Sequence, residues 1–151
     1  MKIWVDADAC PRPAKEIIYR TSNRLGVPTV LVANTPLTLP TSAFISSEVV
    51  EGGMDVADDF IVDHCKEMDV VISADIPLAD RVITVGAIVI DPRGQMLDAE
   101  NIKPKLATRN LMSELRDQGM LGGGPAPYTA RDKSKFASSL DATLTRLLKG
   151  I

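Results

Sequence analysis

One histidine, two cysteines and an aromatic content of 4% leave this 151-residue chain short of the side chains on which much enzyme chemistry is built. His64 is the only histidine, so it alone could serve a Ser-His-Asp arrangement, and its place on the apolar side of a helical pattern reads as a core residue. Cys10 and Cys65 lie far apart, with no histidine or second cysteine at ligand spacing. That spacing excludes a disulfide framework and a zinc site and predicts reduced thiols. Cys10, beside Pro11 and without a neighbouring base, reads as small and buried. No apolar run reaches the roughly 18 residues of a membrane span, and no charged region precedes an apolar one at the start. The expectation is a cytoplasmic protein, neither secreted nor held in a membrane. Few aromatics also mean few platforms for stacking bases: Trp4 reads as core and Tyr128 as the best exposed candidate. Gly122-Gly123-Gly124 neither follow a strand nor precede a Lys-Ser pair, which excludes a phosphate loop of the nucleotide-triphosphatase kind.

What is present suffices for one α/β domain over 1–151, because 45% apolar content can fill a core without crosslinks. Runs rich in Val and Ile at 3–6, 29–34, 43–50, 69–75 and 87–91 predict five strands. Their near-continuous apolar character suits strands buried on both faces, hence a mostly parallel sheet. Helical patterns fall between them. One is opened by Pro13 and stopped by Gly26, and one follows Gly52-Gly53 and runs as far as Met68. A short helix is expected from Pro77 to Ile83 and a longer one over Pro104–Arg116. Phe136, Leu140, Leu144, Leu147 and Leu148 mark a C-terminal amphipathic helix. The alternation predicts a three-layer sandwich. Residues 119–132, with four glycines and two prolines, read as a long functional loop or a linker. Charge is uneven: +2 over 1–47, −10 over 48–100 and +5 over 101–151. The acidic middle could hold cations while the basic end meets phosphate, or both could be solvated faces.

Three of the five strand runs end in aspartate, at Asp6, Asp75 and Asp91. In open α/β sheets the ligand crevice lies beyond the carboxyl ends of the strands, so side chains distant in sequence converge there. Carboxylates gathered in one place repel one another, and Mg²⁺ or Mn²⁺ is the usual remedy. Asp8 lies just past the first strand, able to reach the crevice or to serve a turn. Asp55, Asp58 and Asp59 open the second helix, where acids suit the dipole and Asp55 could be the cap. On a helical wheel Asp58 falls beside the apolar stripe, whereas Asp59 and Asp63 turn to solvent. Asp80 follows Asp75 by one turn of the short helix; it is a second candidate for the site, or a partner for Arg81. Asp91, in DPRG, suits the first position of a type I turn.

Taken together, VDADACP, EGGMDVADDFI, ISADIPLADR, DPRG and GGGPAPYTARDKSKFASSLD closely resemble the YaiI/YqxD family of bacterial proteins over essentially the whole chain. That family resembles a branch of the PIN-like, or NYN-like, nuclease fold. The resemblance implies Mg²⁺ or Mn²⁺ bound at the carboxyl edge, with Asp6 as first-strand acid, Asp55 or Asp58 as helix acid and Asp75 as fourth-strand acid. In PIN-like nucleases a second acid commonly follows the fourth-strand aspartate by two residues, and Pro77 stands there. Either Asp80 substitutes from one turn later or the site holds one ion instead of two.

The expected activity is metal-dependent hydrolysis of phosphodiester bonds, with RNA as the substrate. Asp6, Asp58 and Asp75 would fix the ion, and Asp8 or Asp80 would orient the attacking water. Arg12, Lys15, Arg131, Lys133 and Lys135 would contact flanking phosphates. A second reading takes DAD as resembling the opening of haloacid-dehalogenase-like phosphatases, with Asp6 as nucleophile and Asp8 as acid. Cys10 stands where that motif favours threonine or serine. A third is a non-catalytic, metal-stabilised RNA-binding domain. Nothing in the pattern calls for a homo-oligomer.

Overall fold

The computed structural model describes residues 1–53, 55–119 and 126–150. Six strands, β1 (Ile3–Asp6), β2 (Thr29–Ala33), β3 (Ile45–Val49), β4 (Val70–Ile72), β5 (Ile88–Ile90) and β6 (Met96–Leu97), form one sheet in the order β3-β2-β1-β4-β5-β6. The first five run parallel, and β6 returns antiparallel to β5. Five helices cover the faces: α1 (Arg12–Leu25), α2 (Val56–His64), α3 (Ile76–Val85), α4 (Ile102–Asp117) and α5 (Ala130–Leu148).

Side chains of a strand alternate between faces, and the alternation builds two cores. Ile3, Val5, Leu31, Val70, Ile72 and Ile90 meet Ile18 of α1 and Phe136, Leu140 and Leu144 of α5. Trp4, Val30, Val32, Val71 and Val89 meet Ile61 of α2, Leu78 and Val82 of α3 and Ile102 of α4. Each such fully buried side chain contributes about 1.5–3 kcal/mol. The result is the expected three-layer sandwich.

The expected boundaries shift at several points. The sheet has six strands, not five, because the DPRG turn folds Met96–Leu97 back onto β5, a pairing too short to show as a periodic run. Only Ile45 of β3 is buried, since this strand lies at the sheet's edge. β4 is cut to three residues, so Ser73–Asp75 leave the ladder as a connecting segment. α4 begins two residues before Pro104. α2 stops at His64, short of the Met68 reached by the pattern, and Met68 itself adopts φ 71°. His64 is exposed and not a core residue: it stacks on Phe60 at 4.0 Å between ring centroids, with Nδ1 2.8 Å from the Phe60 carbonyl oxygen. Cys10 and Cys65 are both buried free thiols, as expected. Of the 119–132 segment, the glycines 122–124 and the rest of 120–125 lie outside the described residues. The later part joins α5, whose start carries a full capping box between Thr129 and Asp132. Among the described residues no helix is long and apolar enough to cross a membrane.

Candidate functional site

The strand order reverses direction between β1 and β4, and the crevice beyond their carboxyl ends is where ligands bind in such sheets. Asp6 is the last residue of β1. Two positions on from Trp4, it points to the α2–α3 side of the sheet. After β4 the chain turns through Ser73 into α3, where Asp75 is extended at the cap (φ −77°, ψ 107°) and Pro77 lies in the first turn. From above, α2 brings in its first turn. A cavity of about 360 Å³ results, lined by Asp6, Asp8, Ala9, Asn34, Gly53, Asp55, Ala57, Asp58 and Asp75. No lysine or arginine is among those residues.

Each carboxylate is placed by a distinct device. Asp6 is 8% exposed, and its Oδ2 accepts a 3.0 Å hydrogen bond from Ser73 Oγ. That same hydroxyl oxygen accepts from the Asp75 backbone N–H at 3.0 Å. Ser73 therefore couples the ends of β1 and β4. Asp75 caps α3, its Oδ1 accepting from Leu78 N–H at 3.1 Å. Asp8, in a single 3-10 turn at Ala7–Ala9, is exposed and accepts from the Asn34 N–H at 2.8 Å, so it holds the end of β2 and does not cap α1. Asp55 occupies the cap position of α2 in the left-handed region (φ 69°) without making a side-chain cap bond. Asp58 accepts no hydrogen bond among the described residues.

The electrostatics follow from this crowding. Burial pushes the Asp6 carboxyl above its ordinary value, opposed by the Ser73 hydrogen bond and reinforced by the charges of Asp75 and Asp8. Burial also raises Asp58, and Asp75, Asp6 and Asp55 add to it, so that its pKa is pushed up to about 6 against a small opposing pull from Arg81. Asp69 is 5% exposed at the opposite end of the sheet, where N–H groups of Lys2, Trp4 and Lys66 all donate to it at 2.9–3.0 Å.

The cluster offers only hard oxygen donors with excess negative charge, which is the donor chemistry that suits Mg²⁺ or Mn²⁺. As the side chains stand, no three His, Cys, Asp or Glu groups among the described residues are gathered tightly enough to ligate one ion.

Not every predicted residue arrives here. Asp6, Asp8, Asp55, Asp58 and Asp75 do. Asp80 does not: its Oδ1 pairs with Lys103 Nζ at 2.8 Å, because one turn into α3 the side chain faces α4 and no longer the crevice. Arg81, its suggested partner, binds Asp59 at 2.9 Å instead. Asp59 and Asp63 are exposed as expected, and Asp91 shapes the DPRG turn, accepting from Arg93 and Gln95 N–H at 2.9 Å. None of the basic candidates lines the cavity. Arg12 and Lys15 lie at the start of α1, where Lys15 acts on the buried Cys10 thiol, which burial pushes up to about 12. Arg131, Lys133 and Lys135 lie on the first turns of α5. Tyr128 is not a free stacking platform, since it packs on the core, donates to the Pro92 carbonyl at 2.7 Å and lies under the Arg93 guanidinium. Ser73 and Asn34 were missed by sequence reasoning. Both sit at strand ends, in ISAD and VAN, where a rule limited to acids passes over them.

Comparison with known proteins agrees with the motifs. A model described as uncharacterised, YaiI/YqxD family, matches residues 4–146. The chain is 51% identical to a UPF0178 protein of Geobacter sulfurreducens over 150 residues, 99% of each chain. It is 51% identical to one from Shewanella sp. MR-7 over 97% of this chain and 96% of that one. A UPF0178 protein of Myxococcus xanthus is 48% identical over 99% of this chain and 97% of its own. No solved structure matches significantly.

Proposed function

The chain belongs to the YaiI/YqxD family, and from its carboxylate-lined crevice we propose that it is a PIN-like, Mg²⁺- or Mn²⁺-dependent nuclease of the cytoplasm that hydrolyses phosphodiester bonds in RNA. The observation that carries this reading is the convergence of five carboxylates on one cavity at the switch point of the sheet, with no basic side chain lining it. Such a cluster is costly without a counter-charge, and Asp58 is raised by burial and, after that, by its carboxylate neighbours.

Asp6, Asp58 and Asp75 hold the ion, and Asp55, whose side chain caps nothing, is free to join them. When bound, the cation polarises the phosphodiester and lowers the pKa of the attacking water. Ser73 fixes Asp6 and the entry to α3 at once, so an acid at the end of β1 and one at the cap of α3 keep one relative position. Asp8 stands at the exposed mouth with one oxygen on Asn34 N–H and the other available to orient water. With Asp80 engaged by Lys103, the four cavity acids beside Asp8 suit a single ion. The phosphatase reading draws less support: it needs a proton from Asp8, whose carboxylate already accepts from an amide, and attack by Asp6, which is buried against Ser73.

Incubation of the purified protein with end-labelled single-stranded RNA, with Mn²⁺ or with chelator, tests the proposal. Internal cleavage products are expected only with metal, and Asp6→Asn is expected to lower the rate about 100-fold or more, because even second-shell changes cost 10–100-fold. RNA that is bound with metal but never cut would overturn the nuclease reading in favour of a binding domain.

A further inference from the structure

Beside the acid cavity lies basic ground. Ile76, the residue after Asp75, borders a second cavity of about 390 Å³ formed with Gln95, Lys105, Thr108 and Arg109. Lys105 and Arg109 are one turn apart on α4, so their side chains share a face. Neither has a carboxylate partner among the described residues; Lys103, two positions earlier, takes Asp80. Gln95 in turn borders a third cavity, of about 710 Å³, which contains Lys135 at the start of α5. The acids of that third cavity are already engaged: Asp132 with Arg93, and Asp91 with the backbone of its own turn. A path from Asp75 to its sequence neighbour Ile76 and on through the shared Gln95 thus crosses the β5–β6 rim, with Lys105 and Arg109 on one helix layer and Lys135 on the other.

We propose that this path is a phosphate track, and that the substrate of the neighbouring site is a single-stranded polynucleotide lying across the edge; the second half of the statement rests on the nuclease reading. Strands are about 4.8 Å apart, so the β6 end of the path stands roughly 10 Å from the β4 end. One phosphate group cannot span that distance and touch both, but successive phosphates of one strand can. An anchor away from the cavity is also required on physical grounds, since five carboxylates repel a polyanion until a cation offsets them. A mononucleotide or phosphomonoester would leave Lys105 and Arg109 without a role.

The test uses the whole protein, an RNA oligonucleotide of about 12 nucleotides and two readouts: binding as a function of salt, and the Mn²⁺-induced rise in melting temperature. The double variant Lys105→Ala and Arg109→Ala changes one half-buried and one exposed helix position, and an unperturbed melting curve confirms the fold. It is expected to bind the RNA about tenfold more weakly and to lose about 1–2 from the slope of log affinity against log salt, with the Mn²⁺ response intact. Lys135→Ala is expected to lower the slope further. An unchanged affinity and slope in the double variant overturns the track, whatever the metal response. A wild type that binds RNA through these residues but shows no Mn²⁺ response retains the track and removes the nuclease reading.

Discussion

Two buried aspartates show how residue type alone misleads. Asp69 is satisfied by three N–H donors and ties β1 to β4 as a structural fixture. Asp58, less buried, has no such donor; burial first, and then the charges of Asp75, Asp6 and Asp55, push its pKa up to about 6 from 3.8. A carboxyl that is harder to ionise in the folded state binds more protons there than in the unfolded chain, so stability falls as pH rises through the window between 3.8 and about 6. In the presence of chelator, wild type is therefore expected to lose stability over that window relative to Asp58→Asn. After discounting for solvent screening the difference is on the order of 1–2 kcal/mol. Melting curves collected at several pH values check this; parallel wild-type and variant profiles would mean that Asp58 is not strained by its neighbours.

At the scale of elements, the DPRG turn matters as much as the acids, because it carries both β6 and the seat of α5. Asp91 closes the turn with hydrogen bonds to Arg93 and Gln95 N–H, and its carbonyl accepts from Gly94 N–H at 2.9 Å. Arg93 reaches across to Asp132 at 2.6 Å and to the carbonyls of Ala126 and Pro127. Gly94 lies directly on α5: a Cβ there would stand 2.6 Å from the Lys135 carbonyl carbon and 2.7 Å from its oxygen, and φ is +91°. Gly94→Ala thus combines overpacking with a left-handed backbone and is expected to cost about 2–4 kcal/mol. For a chain of this size that is a fall in melting temperature on the order of 10 °C. Gly52→Ala, with nothing within 4 Å of the added Cβ, serves as the control and leaves the melting temperature unchanged. Equal melting temperatures for the two variants would refute the close seat of the hairpin on α5.

At the scale of the molecule, the parallel sheet and its acidic edge were legible because both depend on local rules. Val- and Ile-rich runs signal strands buried on two faces, and an aspartate at the end of such a run is carried to the common edge whatever the loop lengths. What could not be read depends on long-range partners. Asp80 and Asp75 are five residues apart on or beside one helix, and only the approach of Lys103 from α4 separates their roles. His64 is exposed at the last residue of α2, an end that periodicity alone does not signal. Ser73 became the link between two strands only once β1 and β4 were neighbours. If Asp75 acts as a charge in a cation site as well as a helix cap, the two roles can be separated by substitution. Asparagine retains the cap and removes the charge, whereas alanine removes both. The decisive measurement is the melting temperature of wild type, Asp75→Asn and Asp75→Ala, each with chelator and with Mn²⁺. In chelator Asp75→Asn should melt above wild type, with repulsion relieved, and Asp75→Ala should fall about 1 kcal/mol below Asp75→Asn. Mn²⁺ should stabilise wild type and do much less for either variant. A wild type indifferent to Mn²⁺, or an Asp75→Asn protein that melts below wild type in chelator and responds to Mn²⁺ as wild type does, would contradict the cation-site role.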